Sequence, residues 1–142
     1  MDESQIKGLF RDKPVASLAT IGRDGTPHVV PIWAQLIDGQ ICMPTSSSTV
    51  KVRNLEGNDR AALMVHENKG SMALSGALIQ GRIHVVRDAE ALRKNREIHR
   101  RYLAPNDLHH PGISSYLSND DVTLVLIPES VRTWNLSSVI EH

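Results

Sequence analysis

A hydroxyl-rich segment with two cations just after it is the part of the sequence whose residue types best suit chemistry. Its five members are Thr45, Ser46, Ser47, Ser48 and Thr49. The residues that follow, Val50–Glu56, are predicted to form a short helix, and they include Lys51 and Arg53. Ser48 or Thr49 lies where a side chain commonly caps the first turn of such a helix.

Lys51 would therefore lie in the first helical turn, which is an unusual place for a cation. The N-terminus of a helix is already positive, so acidic residues are preferred there. A bound anion would remove the conflict, because free backbone N–H groups, hydroxyls, Lys51 and Arg53 would surround it. The segment is thus suited to a phosphate group. The alternative is an ordinary capped surface helix with two solvated cations, and the spacing alone does not choose between them.

The other reactive side chains indicate no further site. Cys42 is the only cysteine and lies in an apolar run, which excludes an internal disulfide and favours a buried filler over a nucleophile. His109 and His110 are adjacent, would point in opposite directions on an extended segment, and have no carboxylate at ligand spacing. No metal site is expected. The histidines on predicted strands lack the serine or cysteine partner of a hydrolase, and they are His28, His66 and His84.

The composition is that of an ordinary globular chain without a global charge. It has 142 residues, 40% of them hydrophobic, with 16 Lys+Arg balanced by 16 Asp+Glu. This balance attracts neither nucleic acid nor an anionic membrane, so an anion has to be held by a local site. No apolar run approaches the roughly 18 residues of a membrane span, and the first four residues do not begin a signal peptide. We expect one cytoplasmic domain over residues 1–142.

Strand and turn signals before the hydroxyl-rich segment predict three strands joined by hairpins. The expected elements are a helix at Gln5–Phe10, strands at Val15–Ile21, Thr26–Ile37 and Gln40–Thr45, and turns at Asp24-Gly25 and Asp38-Gly39. Pro27 and Pro31 remove ladder donors from the second strand, which is therefore expected at a sheet edge or with a bulge. The three strands would form a meander.

The pattern after the hydroxyl-rich segment predicts further strands and one long helix. The strands are Arg60–His66, the apolar stretch Met72–Val86, and Val122–Ile127 continuing through Pro128 towards Trp134. The helix is Asp88–Leu103, capped by Asp88, with Leu92, His99, Tyr102 and Leu103 on one face. A turn is expected at Glu67–Ser71 and a loop at Ala104–Ser118. Six or seven strands around two or three short helices indicate a mainly antiparallel β-barrel with α additions.

Two stretches allow more than one interpretation. The long helix carries five cations, which are Arg93, Lys94, Arg96, Arg100 and Arg101. They form either a solvated face with pairs such as Glu97–Arg101 or a surface that collects a polyanionic tail. No aromatic residues interleave these charges, which argues against nucleic acid. The small residues of Gly70–Gly81 are compatible with a bulge, a lid over a pocket or merely a longer hairpin.

Several short motifs, taken in order, resemble one known family. They are Ala16–Thr20, Asp24–His28, Pro31-Ile32-Trp33, Met43-Pro44-Thr45, Ser48–Leu55, Asn58–Leu63 and Leu126–Trp134. Over residues 6–135 the sequence resembles the pyridoxamine-phosphate-oxidase-like split β-barrel flavoproteins. Lys51–Leu55 is most similar to the branch that uses the deazaflavin coenzyme F-420. The resemblance implies a six- to seven-stranded antiparallel split barrel of the FMN-binding type.

The resemblance also implies where a cofactor would bind. The implied contacts are Thr45, Ser46, Ser47, Ser48, Thr49, Lys51, Arg53 and Asn54 for the phosphate, and Pro31, Ile32 and Trp33 for the ring. Asn54 could instead tie the short helix down. In the FMN-using oxidases of the family the ring-bearing strand carries basic residues. Here Val29–Leu36 contains no Lys or Arg, which favours F-420 over FMN, or else a chain that has lost tight flavin binding.

The activity implied by the resemblance is that of an oxidoreductase. It would use reduced F-420 as a hydride donor to a small conjugated organic substrate. The family's members are typically homodimers with the cofactor in a groove between the subunits. An FMN-dependent oxidase or reductase of the same fold, and a flavin-binding protein without turnover, stay open as alternatives. No residue of the sequence is distinguished as a proton donor.

Overall fold

A computed structural model describes residues 3–68, 74–103 and 121–135. Over these residues the chain forms seven strands and three helices. In order they are α1 (Glu3–Arg11), β1 (Val15–Ile21), β2 (Pro27–Trp33), β3 (Gln35–Ile37), β4 (Gln40–Ser46), α2 (Val50–Gly57), β5 (Arg60–Asn68), β6 (Leu74–Val86), α3 (Ala89–Tyr102) and β7 (Asp121–Asn135). The predicted loop at Ala104–Ser118 and part of the predicted turn at Glu67–Ser71 lie outside the described residues.

The strands form one antiparallel sheet in the order β2-β1-β5-β6-β7-β4-β3. β2 and β3 are therefore the two edges, although Ala34 alone separates them in the sequence. A sheet whose edges are joined by one residue has to curl until those edges meet. The predicted mainly antiparallel barrel is thereby confirmed, and so is the edge position of the strand that contains Pro27 and Pro31.

The predicted three-stranded meander is wrong. β2 pairs with β1, whereas β3 pairs with β4, so the strand expected at Thr26–Ile37 is two strands. The break lies at Ala34, which is fully buried. Its N–H donates to the Tyr102 hydroxyl at 3.3 Å, and its carbonyl oxygen lies 3.0 Å from the same hydroxyl. A buried backbone group that leaves a ladder needs another partner. A side chain from α3 supplies it, which no local pattern in β2 or β3 could indicate.

Both predicted hairpin turns are present. The turn between β3 and β4 has positive φ at both central residues, 53° for Asp38 and 78° for Gly39. This is the backbone of the tight turns that Asp-Gly favours, since glycine carries no steric penalty there. In the turn between β1 and β2, Gly25 has a φ of 84° and the Asp24 carboxylate accepts the N–H of Thr26 at 3.0 Å.

The long strand β6 contains the described part of the small-residue stretch. It pairs with β5 from Leu74 to Arg82 and with β7 from Ser75 to Val86, so residues 74–81 form an extended hairpin with β5. The ladder with β7 shifts register between Gln80 and Gly81, which is a β-bulge. Residues 69–73 lie outside the described part of the chain.

Helix α3 packs on the sheet through a partly polar face. Asp88 caps it as predicted, accepting the N–H of Glu90 at 3.0 Å. The buried residues of α3 are Ala91, Lys94, Asn95, Ile98 and His99. The buried face of α3 differs from the predicted face, because Leu92, Tyr102 and Leu103 are only half-buried. None of the helices within the described ranges is long and apolar enough to cross a membrane.

A buried hydrogen-bond network joins α3 to β7. The Asn95 amide donates to the Val122 carbonyl at 2.9 Å, and its oxygen lies 2.7 Å from the Thr123 hydroxyl. That hydroxyl also lies 3.0 Å from the Ala91 carbonyl. Asn95 and Thr123 are both 0% exposed, so each polar atom depends on this network for a partner.

Replacing Thr123 by valine is expected to lower the free energy of unfolding by about 1–3 kcal/mol. The change keeps the side-chain shape but leaves the Asn95 oxygen without its donor, and a buried unsatisfied acceptor costs about that much. Urea denaturation followed by circular dichroism measures the difference. Val131→Thr, the reverse change at an exposed residue of the same strand, serves as the control and should change stability by less than about 0.5 kcal/mol. Equal stability of the Thr123 variant and the parent would show that the network is not stabilising.

Candidate functional site

A cavity of about 630 Å³ lies where the end of β2, the end of β4 and the start of α2 face helix α3. We call it the site cavity. It is lined by Val15, Pro31, Ile32, Trp33, Pro44, Thr45, Ser46, Thr49, Lys51, Asn95, His99, Leu103 and Asp121. Its volume is in the range of pockets that bury a small organic ligand. The sheet positions its floor, because β4 pairs with β7 through Thr45↔Val122 and Ser46↔Asp121.

Helix α2 begins in this cavity without a side-chain cap. Thr49 is the N-cap residue, as one of the two predicted candidates, but its hydroxyl donates to the Ser46 carbonyl at 2.9 Å instead of capping the helix. The first helical bond runs from Arg53 N–H to the Thr49 carbonyl at 3.2 Å. The N–H groups of Val50, Lys51 and Val52 make no hydrogen bond to any described residue. Free N–H groups at a helix start are a favourable place for an anion.

Lys51 brings a positive charge to the same place. Its side chain is half-buried, and it forms no ion pair with any residue in the described ranges. Burial lowers the pKa of Lys51 because the loss of water disfavours the charged amine. The first turn of α2 contains no acidic residue that could offset the charge. An anion in the cavity would compensate the lysine and the helix N-terminus together.

The hydroxyl-rich segment contributes to the cavity with only some of its members. Thr45, Ser46 and Thr49 line it, and the Thr45 and Thr49 hydroxyl oxygens are 3.5 Å apart. Ser47 and Ser48 form the turn before α2 and are not part of the lining. The Ser48 hydroxyl pairs with that of Ser46 at 3.1 Å. Three of the five hydroxyl-bearing residues, rather than all five, therefore line the cavity.

Arg53 and Asn54 lie on the other side of α2. Both line a second cavity of about 840 Å³, between the β1–β2 hairpin and α2, which also contains Arg23. The Asn54 amide donates to the Thr20 hydroxyl at 3.1 Å, so that it ties α2 to β1. The structure thus brings Lys51 together with Pro31, Ile32 and Trp33, and it does not bring Arg53 or Asn54 into that group.

Two aromatic rings, those of Trp33 and His99, line the site cavity together with Lys51. Trp33 stacks on Tyr102, with ring centroids 4.6 Å apart and planes 10° apart, and meets the His99 ring edge-on at 5.9 Å. The Tyr102 hydroxyl donates to the Pro14 carbonyl at 2.5 Å and accepts from the Gln35 amide at 3.3 Å. These bonds fix the tyrosine, and the stacked tyrosine fixes the indole. Burial raises the pKa of Tyr102.

A sequence profile of the family described as pyridoxamine 5'-phosphate oxidase matches residues 3–135. The matched range spans more than half of the chain. The chain belongs to the pyridoxamine 5'-phosphate oxidase family. The family suggested by the sequence motifs is therefore confirmed. A search of the curated proteins gives no significant match.

Solved structures agree with this family's fold. A conserved hypothetical protein from Mycobacterium tuberculosis superimposes with a TM-score of 0.83 at 25% identity, covering 98% of this chain and 88% of that one. An F-420 reductase gives 0.73 at 22% identity, covering 93% and 98%. A FAD-binding protein from Mesorhizobium loti gives 0.68 at 19% identity, covering 94% of both chains. At these identities the last two show the shared fold alone.

In this member of the pyridoxamine 5'-phosphate oxidase family, α3 supplies polar lining residues that sequence reasoning missed. Asn95 and His99 are four residues apart, so they share a helix face, and both line the site cavity. His99 is 5% exposed, and burial lowers the pKa of its ring. The available signal was two polar residues at helical spacing on the face that also carries Ala91 and Ile98. The family motifs did not include α3.

The cations of α3 are largely engaged within the chain. The Arg93 guanidinium contacts Glu90 at 3.0 Å and Asp38 at 3.1 Å, and Arg101 contacts Glu97 at 3.4 Å and the Leu36 carbonyl at 3.0 Å. Lys94 is 7% exposed and lies 3.4 Å from the Gln40 side-chain oxygen. These contacts favour the interpretation of this helix as an internally paired face rather than a collector of a polyanionic tail.

Among the described residues, Cys42 is not an activated thiol and the histidines are not part of a metal site. Cys42 is fully buried, and burial raises the pKa of its thiol, so the reactive thiolate is disfavoured. Within the described ranges no three His, Cys, Asp or Glu side chains are grouped to hold a metal ion.

Proposed function

We propose that the protein is an oxidoreductase that holds a flavin-type cofactor in the site cavity, with F-420 as the preferred form. One observation carries the proposal. The half-buried Lys51 pairs with no described residue, and it lies beside N–H groups at the start of α2 that bond no described residue, in the same cavity as the strand segment Pro31–Trp33. The cavity thus combines an anion-binding end with an apolar, aromatic wall. These two features match the phosphate and the ring of a phosphorylated ring compound.

The anion-binding end fits a phosphate on chemical grounds. A phosphate offers several acceptor oxygens, and the N–H groups of Val50, Lys51 and Val52, the Lys51 amine and the Thr45 hydroxyl are all able to donate. Binding would reverse the effect of burial on Lys51, because a nearby anion favours the charged amine. Arg53 is exposed and lies across the helix; we propose that its role in phosphate binding is secondary.

The wall of the cavity favours F-420 over FMN. Lys51 is the only Lys or Arg among the residues that line the site cavity within the described ranges. The ring would lie along Pro31, Ile32 and Trp33 without the second basic residue that the FMN-using oxidases of the family carry. One solved structure with this fold is an F-420 reductase, which is consistent with the choice.

The chain's own groups would position the cofactor and exclude water. When bound, reduced F-420 supplies a hydride, and the small organic substrate accepts it. Trp33 is held by its stack on Tyr102, so it offers a fixed plane against which a ring can pack. Pro31 and Ile32 complete an apolar surface that keeps water from the reacting face.

We further propose that a second copy of the chain covers the cavity. Val15, which lines the cavity, is 57% exposed, and Val29 on the neighbouring strand is 62% exposed. With Pro31, also exposed, they form an apolar rim on the outer side of β1 and β2. Apolar rims of this kind mark surfaces that meet a partner. The homodimer expected for the family would place this rim in its interface.

Titration of the purified protein with F-420 and with FMN tests the proposed function. We expect micromolar affinity for F-420, at least about tenfold weaker binding of FMN, and loss of F-420 binding in Lys51→Ala. Reduced F-420 is then mixed with 2-cyclohexen-1-one under anaerobic conditions, and its oxidation is followed by absorbance. Circular dichroism of Lys51→Ala checks that the variant is folded.

The other outcomes separate the alternatives. Tight binding of FMN would identify an FMN-dependent oxidase or reductase of the same fold. Binding of F-420 without oxidation by a panel of conjugated acceptors would indicate a binding protein without turnover. If neither compound binds, the phosphate site itself is wrong.

A further inference from the structure

The site cavity contains a buried imidazole that the phosphate site leaves unused. His99 lines the cavity near Trp33 and is 5% exposed. Its Nδ1 is fully buried without a hydrogen-bond partner among the described residues, and no described residue bonds Nε2. A polar side chain in an apolar wall costs free energy unless something satisfies it. Nδ1 is too deeply buried for a ligand to reach, so a ligand atom that meets the ring from the cavity would do so at Nε2.

The surroundings of His99 decide which form of the ring faces the cavity. Burial lowers the pKa of His99, so the imidazole is neutral at neutral pH. The Asn95 backbone carbonyl, one turn earlier in α3, lies close enough to favour a hydrogen on the ring, although it forms no hydrogen bond of good geometry with Nδ1. Because Nδ1 is the nitrogen buried against the helix, a hydrogen there leaves the Nε2 lone pair for the cavity. The neutral ring therefore presents an acceptor.

We propose that His99 Nε2 accepts a hydrogen bond from an N–H group on the edge of the planar heterocycle bound against Trp33. This assignment rests on the proposed function, because it takes the occupant of the cavity to be a flavin or deazaflavin ring. His99 is then a ligand-contacting residue at the ring end, and Lys51 is its counterpart at the phosphate end. The two ends of the cavity recognise separate parts of one molecule.

Two ligands that share the deazaflavin ring, one with and one without the phosphate and the tail it carries, separate the two ends. The probes are F-420 and its phosphate-free deazaflavin riboside, titrated at pH 7.5 into the parent, His99→Leu, His99→Gln and Lys51→Ala proteins. We expect His99→Leu to raise the Kd of both probes by the same factor, about tenfold. His99→Gln keeps an acceptor and should stay within about threefold of the parent. Lys51→Ala should weaken F-420 and leave the riboside unchanged.

A pH series provides a signature that a merely structural role would not produce. As the pH falls through the lowered pKa of His99, protonation removes the Nε2 acceptor, and the affinity for the riboside should fall. The other titratable groups that line the site cavity or stack on its rings are Lys51 of α2, Asp121 of β7 and Tyr102 of α3. Only the loss of the pH dependence in His99→Gln assigns it to the imidazole. His84→Gln, at an exposed histidine of β6, is the matched control and should keep the parent's profile.

The results distinguish the two proposals. If His99→Leu binds both probes like the parent while Lys51→Ala loses F-420, the inference about His99 is overturned and the proposed function stands. If Lys51→Ala binds F-420 normally while His99→Leu weakens both probes, the phosphate site is wrong and the ring contact stands. Failure of the parent protein to bind either probe overturns both. Thermal melting of each variant confirms that it is folded.

Discussion

A Lys51→Glu variant is expected to lose about a hundredfold in affinity for a phosphate-bearing flavin or deazaflavin. Truncating one partner of a buried charge pair costs about 2–5 kcal/mol, and tenfold in Kd corresponds to about 1.4 kcal/mol. Charge reversal adds repulsion between the carboxylate and the phosphate. The half-buried setting of Lys51 makes screening by salt weak, so the loss should persist at high ionic strength. Isothermal titration calorimetry with F-420 at two salt concentrations measures it.

Arg53→Glu is the matched control for this experiment. It makes the same charge change two residues away, on the same helix, but on the side that lines the second cavity. We expect its Kd for F-420 to stay within about threefold of the parent's, since an exposed charge acts only through solvent. Similar losses in both variants would mean that the bound phosphate contacts both cations and that α2 changes its orientation in the complex.

Gly81→Ala is expected to lower the free energy of unfolding by about 3 kcal/mol or more. Gly81 lies at the bulge between β6 and β7, and a Cβ there would overlap the Ile127 carbonyl oxygen and approach Ile127 C at 3.0 Å and Glu129 N at 3.1 Å. These are backbone atoms of a paired strand, so they cannot move aside as a flexible side chain would. Urea denaturation gives the value.

Gly8→Ala provides the control for a glycine substitution as such. Gly8 lies inside α1, and nothing lies within 4 Å of a Cβ at that position. Alanine favours the helix over glycine by about 0.8–1 kcal/mol, so this variant should be slightly more stable than the parent. A Gly81 variant as stable as the parent would show that the bulge can shift its register to accept a side chain.

The sequence was informative where structure is local. Asp-Gly pairs fix the hairpin turns because only a few residues tolerate positive φ, and Asp88 caps α3 because its carboxylate reaches the N–H of Glu90. Alternation and the positions of Pro27 and Pro31 identified strands and a sheet edge. The uncapped helix after the hydroxyl-rich segment was located within one residue of its start. Each of these features depends on neighbours in the chain.

The predictions fail where contacts between elements that are distant in the sequence determine the structure. The strand break at Ala34 depends on a hydroxyl from Tyr102, which is 68 residues away. Asn95 and His99 line the site cavity because α3 packs there, and the motifs around α2 say nothing about α3. The separation of Lys51 from Arg53 could have been read from helix geometry, since residues two apart do not face the same direction. It was missed because the two charges were considered as a pair.

The single-residue link at Ala34 has a consequence for strand pairing between molecules at high protein concentration. Unpaired strand edges invite other chains to add to them. Here the two edges of the sheet, β2 and β3, are covalently joined end to end, and Tyr102 occupies the backbone groups at the junction. The Ala34 backbone groups are therefore unavailable to an added strand, so a strand of another molecule that paired along β2 would be interrupted before it reached β3.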